Sequence, residues 1–263
     1  MKVLGVVPAR MAASRFPEKP LALIHGIPMV GHCFFRSCLA TTIDDVYVAT
    51  CDQEIATYMR SVGGACVMTS DHHERASERT AEAFGRIEAE TGETYDFVVL
   101  IQGDEPMLAP EMLDELVAPV RSGTMADVDI VNLVSAIGSA TEFENRDLVK
   151  VVVSTDGRAL YFSREPIPSR RKYAGDVPMW RQLGMILFSR AAILAYPTLE
   201  PTPLEIIESV DMNRFLEHGW SIQLVPTNHP SPSVDSPEDL ARVIAMMADD
   251  PVIDRYLDPQ RML

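Results

Sequence analysis

The chain has 263 residues, 47% hydrophobic and 23% charged, a globular composition with ample material for a core. Its formal net charge of −15 argues against non-specific binding to nucleic acid or to an anionic membrane surface. No apolar run reaches the roughly 18 residues a bilayer span needs, and the N-terminus opens on a strand pattern rather than a signal peptide, so a cytoplasmic protein is expected.

Taken in chain order, residues 3–7 are an apolar run that suits a buried parallel strand. Spacing predicts a helix over 29–39, a strand over 45–50 and a helix over 53–62 stopped by Gly63 and Gly64. A short strand at 65–68, a helix at 78–90, the strongest central-strand candidate at 95–102 and a helix at 110–120 follow. This βαβα alternation implies a mostly parallel sheet. Beyond it the pattern turns strand-rich: 130–137, 149–153 and 159–162, with a hairpin signal at Thr155-Asp156-Gly157, then 181–188. One helix is expected over 204–217, a strand over 221–226 and a closing helix over 237–247, capped by Ser236 with Asp239 three residues on. No linker composition divides the chain, so one α/β domain with an inserted or appended lobe is the expectation. Cys33, Cys38, Cys51 and Cys66 show no metal spacing and read as buried, reduced thiols.

Three stretches bear on chemistry. After the first strand, Arg10, Ser14, Arg15 and Lys19 lie on a loop stiffened by Pro8, Pro17 and Pro20. That is where an open α/β sheet binds ligands, and three cations there can neutralise a triphosphate. A solvated basic loop is the bland alternative, disfavoured in so acidic a chain. Gln102-Gly103-Asp104-Glu105-Pro106 follows the strongest strand, and Asp104 is well placed to hold Mg²⁺ against phosphates. Asp235 is the best second carboxylate, although taken alone it reads more simply as part of a helix cap. Asp71-His72-His73-Glu74 reads as a surface loop, since no third metal ligand follows at a familiar spacing. Arg164 and Arg170-Arg171-Lys172 read either as a local anion site or as a mixed-charge surface. A serine hydrolase and a nicotinamide dehydrogenase both lack their signatures, G-x-S-x-G and G-x-G-x-x-G.

Over about residues 3–247 these motifs resemble the 3-deoxy-manno-octulosonate cytidylyltransferase family of sugar-acid cytidylyltransferases. The likeness rests on P-A-R…S-R-F-P-E-K-P-L at the start, Pro28-Met29…His32…Arg36, Gln102–Pro106, Val149–Val152, Ala159–Arg164, Pro203–Glu205 and Val234–Leu240, in the family's order. It implies a Rossmann-like, mostly parallel α/β sheet of the nucleotide-diphospho-sugar transferase type with a smaller β-rich sugar-binding and dimerisation lobe. Residues 1–263 would then form one nucleotidyltransferase domain, its nucleotide-binding half about 1–125 and its sugar-binding part about 126–230. The implied reaction joins CTP to a 3-deoxy ulosonic acid for lipopolysaccharide biosynthesis, with Mg²⁺, in a cytoplasmic homodimer without nucleic-acid or membrane partners. Carried across, Arg10, Arg15 and Lys19 hold the phosphates, and Pro8, Ala9, Ser77, Arg79 and Gln102 complete the nucleotide site. Asp104 and Asp235 ligate the metal, Asp104 joining Arg10, Arg15 and Lys19 as catalytic, and Lys150, Arg164, Gln182 and Glu205 face the sugar. The chain departs from the family at Arg75-Ala76, where Ser-Gly is usual, at Gln182 and Ile186, where a histidine and a tyrosine are usual, and at Ser209–Gly219. These changes fall mostly on the acceptor side and keep another acid sugar, such as an amino-octulosonate or a nonulosonate, as the rival substrate. A sugar-nucleotide sensor without catalysis is the more distant rival, and the metal carboxylates weigh against it.

Overall fold

The computed structural model describes residues 1–12, 16–125, 128–173 and 175–256. It resolves into two compact units, one formed by Met1–Asp114 with His229–Leu263 and the other by Glu115–Asn228.

The first unit is wound around β1 (Val3–Pro8), whose side chains at Val3, Leu4, Val6 and Val7 are wholly buried. A strand buried on both faces is what an uninterrupted apolar run produces in a parallel sheet. Next come β2 (Leu23–Ile24) and β3 (Ile27–Pro28), a small antiparallel hairpin absent from the sequence reading. Its turn places His25 at φ 47° and Gly26 at φ 85°, the positive pair a two-residue hairpin turn needs. Too few residues lie on either side to show a period. The unit continues with α1 (Met29–Ser37), β4 (Asp45–Thr50), α2 (Gln53–Ser61), β5 (Cys66–Met68), α3 (Ala76–Thr91), β6 (Phe97–Ile101) and the first residues of α4 (Pro110–Arg121), whose remainder is counted with the second. β1 pairs in parallel with β4 and with β6, and β5 pairs in parallel with β4. The parallel α/β expectation holds here, and α2 stops before Gly63 at φ 68°, as expected. Of the four cysteines only Cys33 is buried, and Cys38 at the end of α1 is exposed, against the expectation of buried thiols.

The second unit contains β7 (Ile130–Ala136), α5 (Ala140–Glu144), β8 (Lys150–Val153), β9 (Ala159–Ser163), β10 (Trp180–Ser189), α6 (Arg190–Ala195), α7 (Pro203–Glu208), α8 (Met212–Glu217) and β11 (Ile222–Pro226). β7 lies between β11, in parallel, and β10, antiparallel, while β8 pairs antiparallel with β10 and β9. The expected β8–β9 hairpin forms, with Gly157 at φ 82° in its turn. The single helix expected over 204–217 is two. Ser209, left-handed at φ 53° and ψ 49°, ends α7 before α8 begins. The break lets Arg214 reach Glu205 with two hydrogen bonds of 2.6 Å, whereas residues nine apart on one continuous helix would face opposite sides. α5 and α6 escaped the sequence reading despite serine N-caps, Ser139 accepting from the Glu142 amide and Ser189 from the Ala192 amide.

Back in the first unit, α9 (Pro237–Met247) closes the chain pattern. The Ser236 hydroxyl accepts from the Asp239 amide at 3.2 Å and Asp239 accepts from the Ser236 amide at 3.1 Å, the capping pair expected from the sequence.

Candidate active site

The ends of β1 and β6 set the floor of a cleft of about 340 Å³. Gly103 permits this arrangement, because a Cβ there would lie 2.9 Å from the Pro8 carbonyl oxygen. Of the expected nucleotide residues, Pro8, Ala9, Arg10, Lys19, Arg79, Gln102, Asp104 and Asp235 line the cleft. Ser77 is buried in α3 and is not part of the lining. Arg15 lies outside the described residues.

Lys19 opens a short 3₁₀ turn, Lys19–Leu21, behind a left-handed Glu18. Its Nζ donates to Asp104 Oδ2 at 2.9 Å, to the Val234 carbonyl at 2.8 Å and to Asp235 Oδ1 at 3.5 Å. Burial by itself lowers the Lys19 pKa, but Asp104 and Asp235 outweigh it and the net shift is upward. The ammonium is therefore held charged between both carboxylates picked out in the sequence. Asp235 is thus more than a cap, since Ser236 and Asp239 cap α9 while Asp235 faces Lys19.

Asp104 Oδ1 is buried and makes no hydrogen bond among the described residues. An orphaned carboxylate oxygen beside a second carboxylate suits a hard divalent cation, which takes the rest of its shell from phosphates and water. No group of three or more His, Cys, Asp or Glu side chains assembles for a metal among the described residues. The residues present therefore fit a cation bound together with a nucleotide rather than a protein cage.

The opposite wall is the start of α3 and the loop before it. Arg79 is buried, and its guanidinium donates to the Thr69 hydroxyl, to the Ser70 carbonyl at 3.0 Å and to the His73 carbonyl at 3.5 Å. Arg10 reaches the same His73 carbonyl at 3.2 Å. The His73 ring pairs with Glu82, which also accepts from the Ser70 amide at 2.8 Å and from Arg86 at 2.6 Å. Burial raises the Glu82 pKa, but these partners outweigh it and hold the net value below the usual range. The stretch 71–74 is thus not a plain surface loop: Asp71 and His72 are exposed, but His73 and Glu74 line the cleft. Glu78 accepts from the Glu74 and Arg75 amides at 3.1 Å each and so caps α3.

In the second unit the four expected sugar residues make mostly internal contacts. Lys150 is fully buried, and its Nζ donates to the carbonyls of Asn145 and Leu148 at 2.7 Å and to that of Arg164. Burial lowers its pKa. Glu205 is 1% exposed and clasped by Arg214. Gln182 donates to Asn132 Oδ1 at 2.7 Å. The half-buried Arg164 points its guanidinium at the carbonyls of Glu208 (2.9 Å), Arg146 and Asp147 (3.3 Å each) and Ser209 (3.4 Å). Lys150 and Arg164 are brought together, and Glu205 and Gln182 each have other partners. Glu208 went unnoticed in the sequence: it accepts from the Tyr161 and Ser163 hydroxyls at 2.7 and 2.8 Å and from the Arg164 amide at 2.8 Å. The serine and arginine of F-S-R are its only trace in the sequence pattern.

The chain is similar to known proteins over most of its length. The family model described as cytidylyltransferase matches residues 4–222. The 3-deoxy-manno-octulosonate cytidylyltransferase of Geobacter metallireducens is 38% identical over 258 residues, spanning 94% of this chain and 98% of the relative. That of Nitratidesulfovibrio vulgaris is 42% identical over 247 residues, spanning 92% and 95%. Among solved structures, a CMP:2-keto-3-deoxy-manno-octonic acid synthetase complexed with CTP superimposes with a TM-score of 0.87 at 33% identity, covering 95% of this chain and all of that one.

Proposed function

The chain belongs to the 3-deoxy-manno-octulosonate cytidylyltransferase family of sugar-acid cytidylyltransferases, and on that premise we propose that it activates 3-deoxy-manno-octulosonate with CTP. The products are the CMP-sugar and pyrophosphate. The observation that carries this reading is the Lys19 ammonium held between Asp104 and Asp235 in a cleft at the sheet's carboxyl edge. Transfer of this kind is mainly positioning and neutralisation of charge. The anomeric hydroxyl oxygen attacks the α-phosphorus, and the bond to the bridging oxygen of pyrophosphate breaks. Arg10, Arg15 and Lys19 hold the phosphates and offset the charge that builds on the leaving group. Pro8 and Ala9 offer backbone to the base, and Gln102 lines the same cleft. Asp104 and Asp235 would hold Mg²⁺, which when bound neutralises phosphate charge and polarises the α-phosphoryl oxygen.

Arg164 is the residue we assign to the sugar's carboxylate. Backbone carbonyls aim its guanidinium, while the neighbouring Glu208 carboxylate, which accepts the Arg164 amide at 2.8 Å, shares its charge. Lys150 supports it from beneath by binding its carbonyl. We further assign the working form as a cytoplasmic homodimer; exposed apolar side chains at Leu160, Ile206 and Ile207 support a dimer surface in the second unit. No helix among the described residues is long and apolar enough to cross a membrane.

The test is pyrophosphate release with four nucleoside triphosphates against several ulosonic acids. Turnover is expected with CTP and 3-deoxy-manno-octulosonate. Asp104→Asn should lower kcat by about a thousandfold with the fold retained, the scale for losing a charge-stabilising group. Near-normal kcat in that variant would overturn the assignment.

A further inference from the structure

We propose that Glu105 is a positioning residue: through the Ser231 hydroxyl it fixes the segment 231–235 so that Asp235 faces Asp104. The proposal deepens the reading above and rests on it. Residues 231–235 are neither helix nor strand, so nothing periodic holds them. Besides Lys19 and the α9 cap residue Asp239, they are attached by the 104–105 pair, whose side chains diverge. Asp104 turns toward Lys19, while Glu105 accepts the Ser231 hydroxyl. The Asp104 carbonyl also accepts the Val234 amide at 2.9 Å, and Lys19 donates to the Val234 carbonyl at 2.8 Å. Glu105 is 5% exposed, Ser231 3% and Val234 fully buried, so this anchorage is screened from water. Asp235, next in the chain, is half-buried and lies 3.5 Å from the Lys19 ammonium. The Val234 contacts and the Asp235 amide, which donates to Asp239 Oδ2 at 3.2 Å, hold the C-terminal end of the segment, and the Glu105–Ser231 bond holds its N-terminal end. Glu105 points toward Ser231, and its effect on chemistry runs through Asp235.

Such supports typically change metal affinity by about 10- to 100-fold when lost. The experiment measures Mn²⁺ binding with CTP present, by the spin-resonance signal of free Mn²⁺, alongside KM for each substrate. Ser231→Ala removes the donor; Glu105→Asp keeps the charge and withdraws the acceptor, reading the same contact from the other side. Each should weaken Mn²⁺ binding about tenfold and leave KM for the octulosonate unchanged. The double variant should lose no more than either single one, and Ser231→Thr should restore binding. Wild-type Mn²⁺ affinity in either single variant, or additive losses in the double, overturns the proposal. If Asp235→Asn leaves Mn²⁺ binding intact, the metal assignment itself has failed, and both readings fall.

Discussion

Lys19 shows how one side chain can be decisive in two states. Its ammonium stands 2.9 Å from Asp104 and 3.5 Å from Asp235, where a cation would have to lie to use both carboxylates. An ammonium and a divalent ion repel strongly at such range and compete for the same oxygens. Lys19→Met should therefore bind Mn²⁺ more tightly than the parent when no nucleotide is present, by about tenfold or 1.4 kcal/mol, while turnover is lost. A Mn²⁺ titration without CTP checks it, and equal or weaker binding would show that the ammonium does not guard the carboxylates. Lys150 is the contrasting case. In sequence it resembles an acceptor-side cation, yet in the fold it is spent on three carbonyls. Lys150→Met should destabilise the protein by about 3 kcal/mol in urea titrations, since it strands buried carbonyls, and should leave KM for CTP unmoved. Residue type was legible from the sequence at both positions. Both carboxylates that Lys19 meets stand out in the sequence as well, whereas the partners of Lys150 do not, because carbonyls leave no trace in a side-chain pattern.

Elements were legible wherever a period or a stop signal ran long enough. β4 and α9 fall where their patterns place them, and α2 and β6 differ only at their ends. The hairpin β2–β3 has two residues per strand, too few to alternate. The helix break at Ser209 answers to a distant need, the clasp of Glu205 by Arg214, which no local propensity encodes. The spacing of α1 predicts a helix, but its tertiary purpose has no sequence signal either. Its His32 ring contacts the Tyr256 hydroxyl at 2.7 Å and the Ile24 carbonyl at 2.8 Å, and Arg36 donates to Tyr256 and pairs with Asp250. The helix thereby ties the chain's last described turn and the small hairpin to one face. Burial lowers the His32 pKa from 6.5 to about 4, so the ring is neutral in the folded protein at pH 7. Between those values the unfolded chain takes up a proton that the folded one does not. Stability is then full above about pH 6.5 and falls toward pH 4 by about 3 kcal/mol. Urea unfolding at pH 7 and pH 4.5 should show that loss, and His32→Gln should flatten it.

For the molecule as a whole, the family's motifs are kept unevenly between the two units. The first retains the cationic loop, Asp104 and Asp235, and its cleft is assembled from them. The second carries Gln182 and Ile186 in place of the expected histidine and tyrosine, at the two ends of an irregularity in β10. Asn132, fully buried on β7, fills that irregularity. Its amide donates to the carbonyls of Leu133, Leu183 and Met185 at 3.0–3.1 Å, and its oxygen accepts from Gln182 at 2.7 Å. Gln182 is therefore held by a residue whose own position is fixed by backbone carbonyls. Donor and acceptor recognition should then separate kinetically by unit. Gln182→Ala should raise KM for the octulosonate about tenfold, as expected when a polar contact worth 1.4 kcal/mol is lost, and leave KM for CTP unchanged. Arg10→Ala in the first unit should do the reverse, raising KM for CTP with the octulosonate value unmoved. Initial rates with each substrate varied at saturation of the other decide it. A Gln182→Ala variant whose octulosonate KM stays at the parent value would place acceptor recognition on other residues of the second unit, with Arg164 the next to vary.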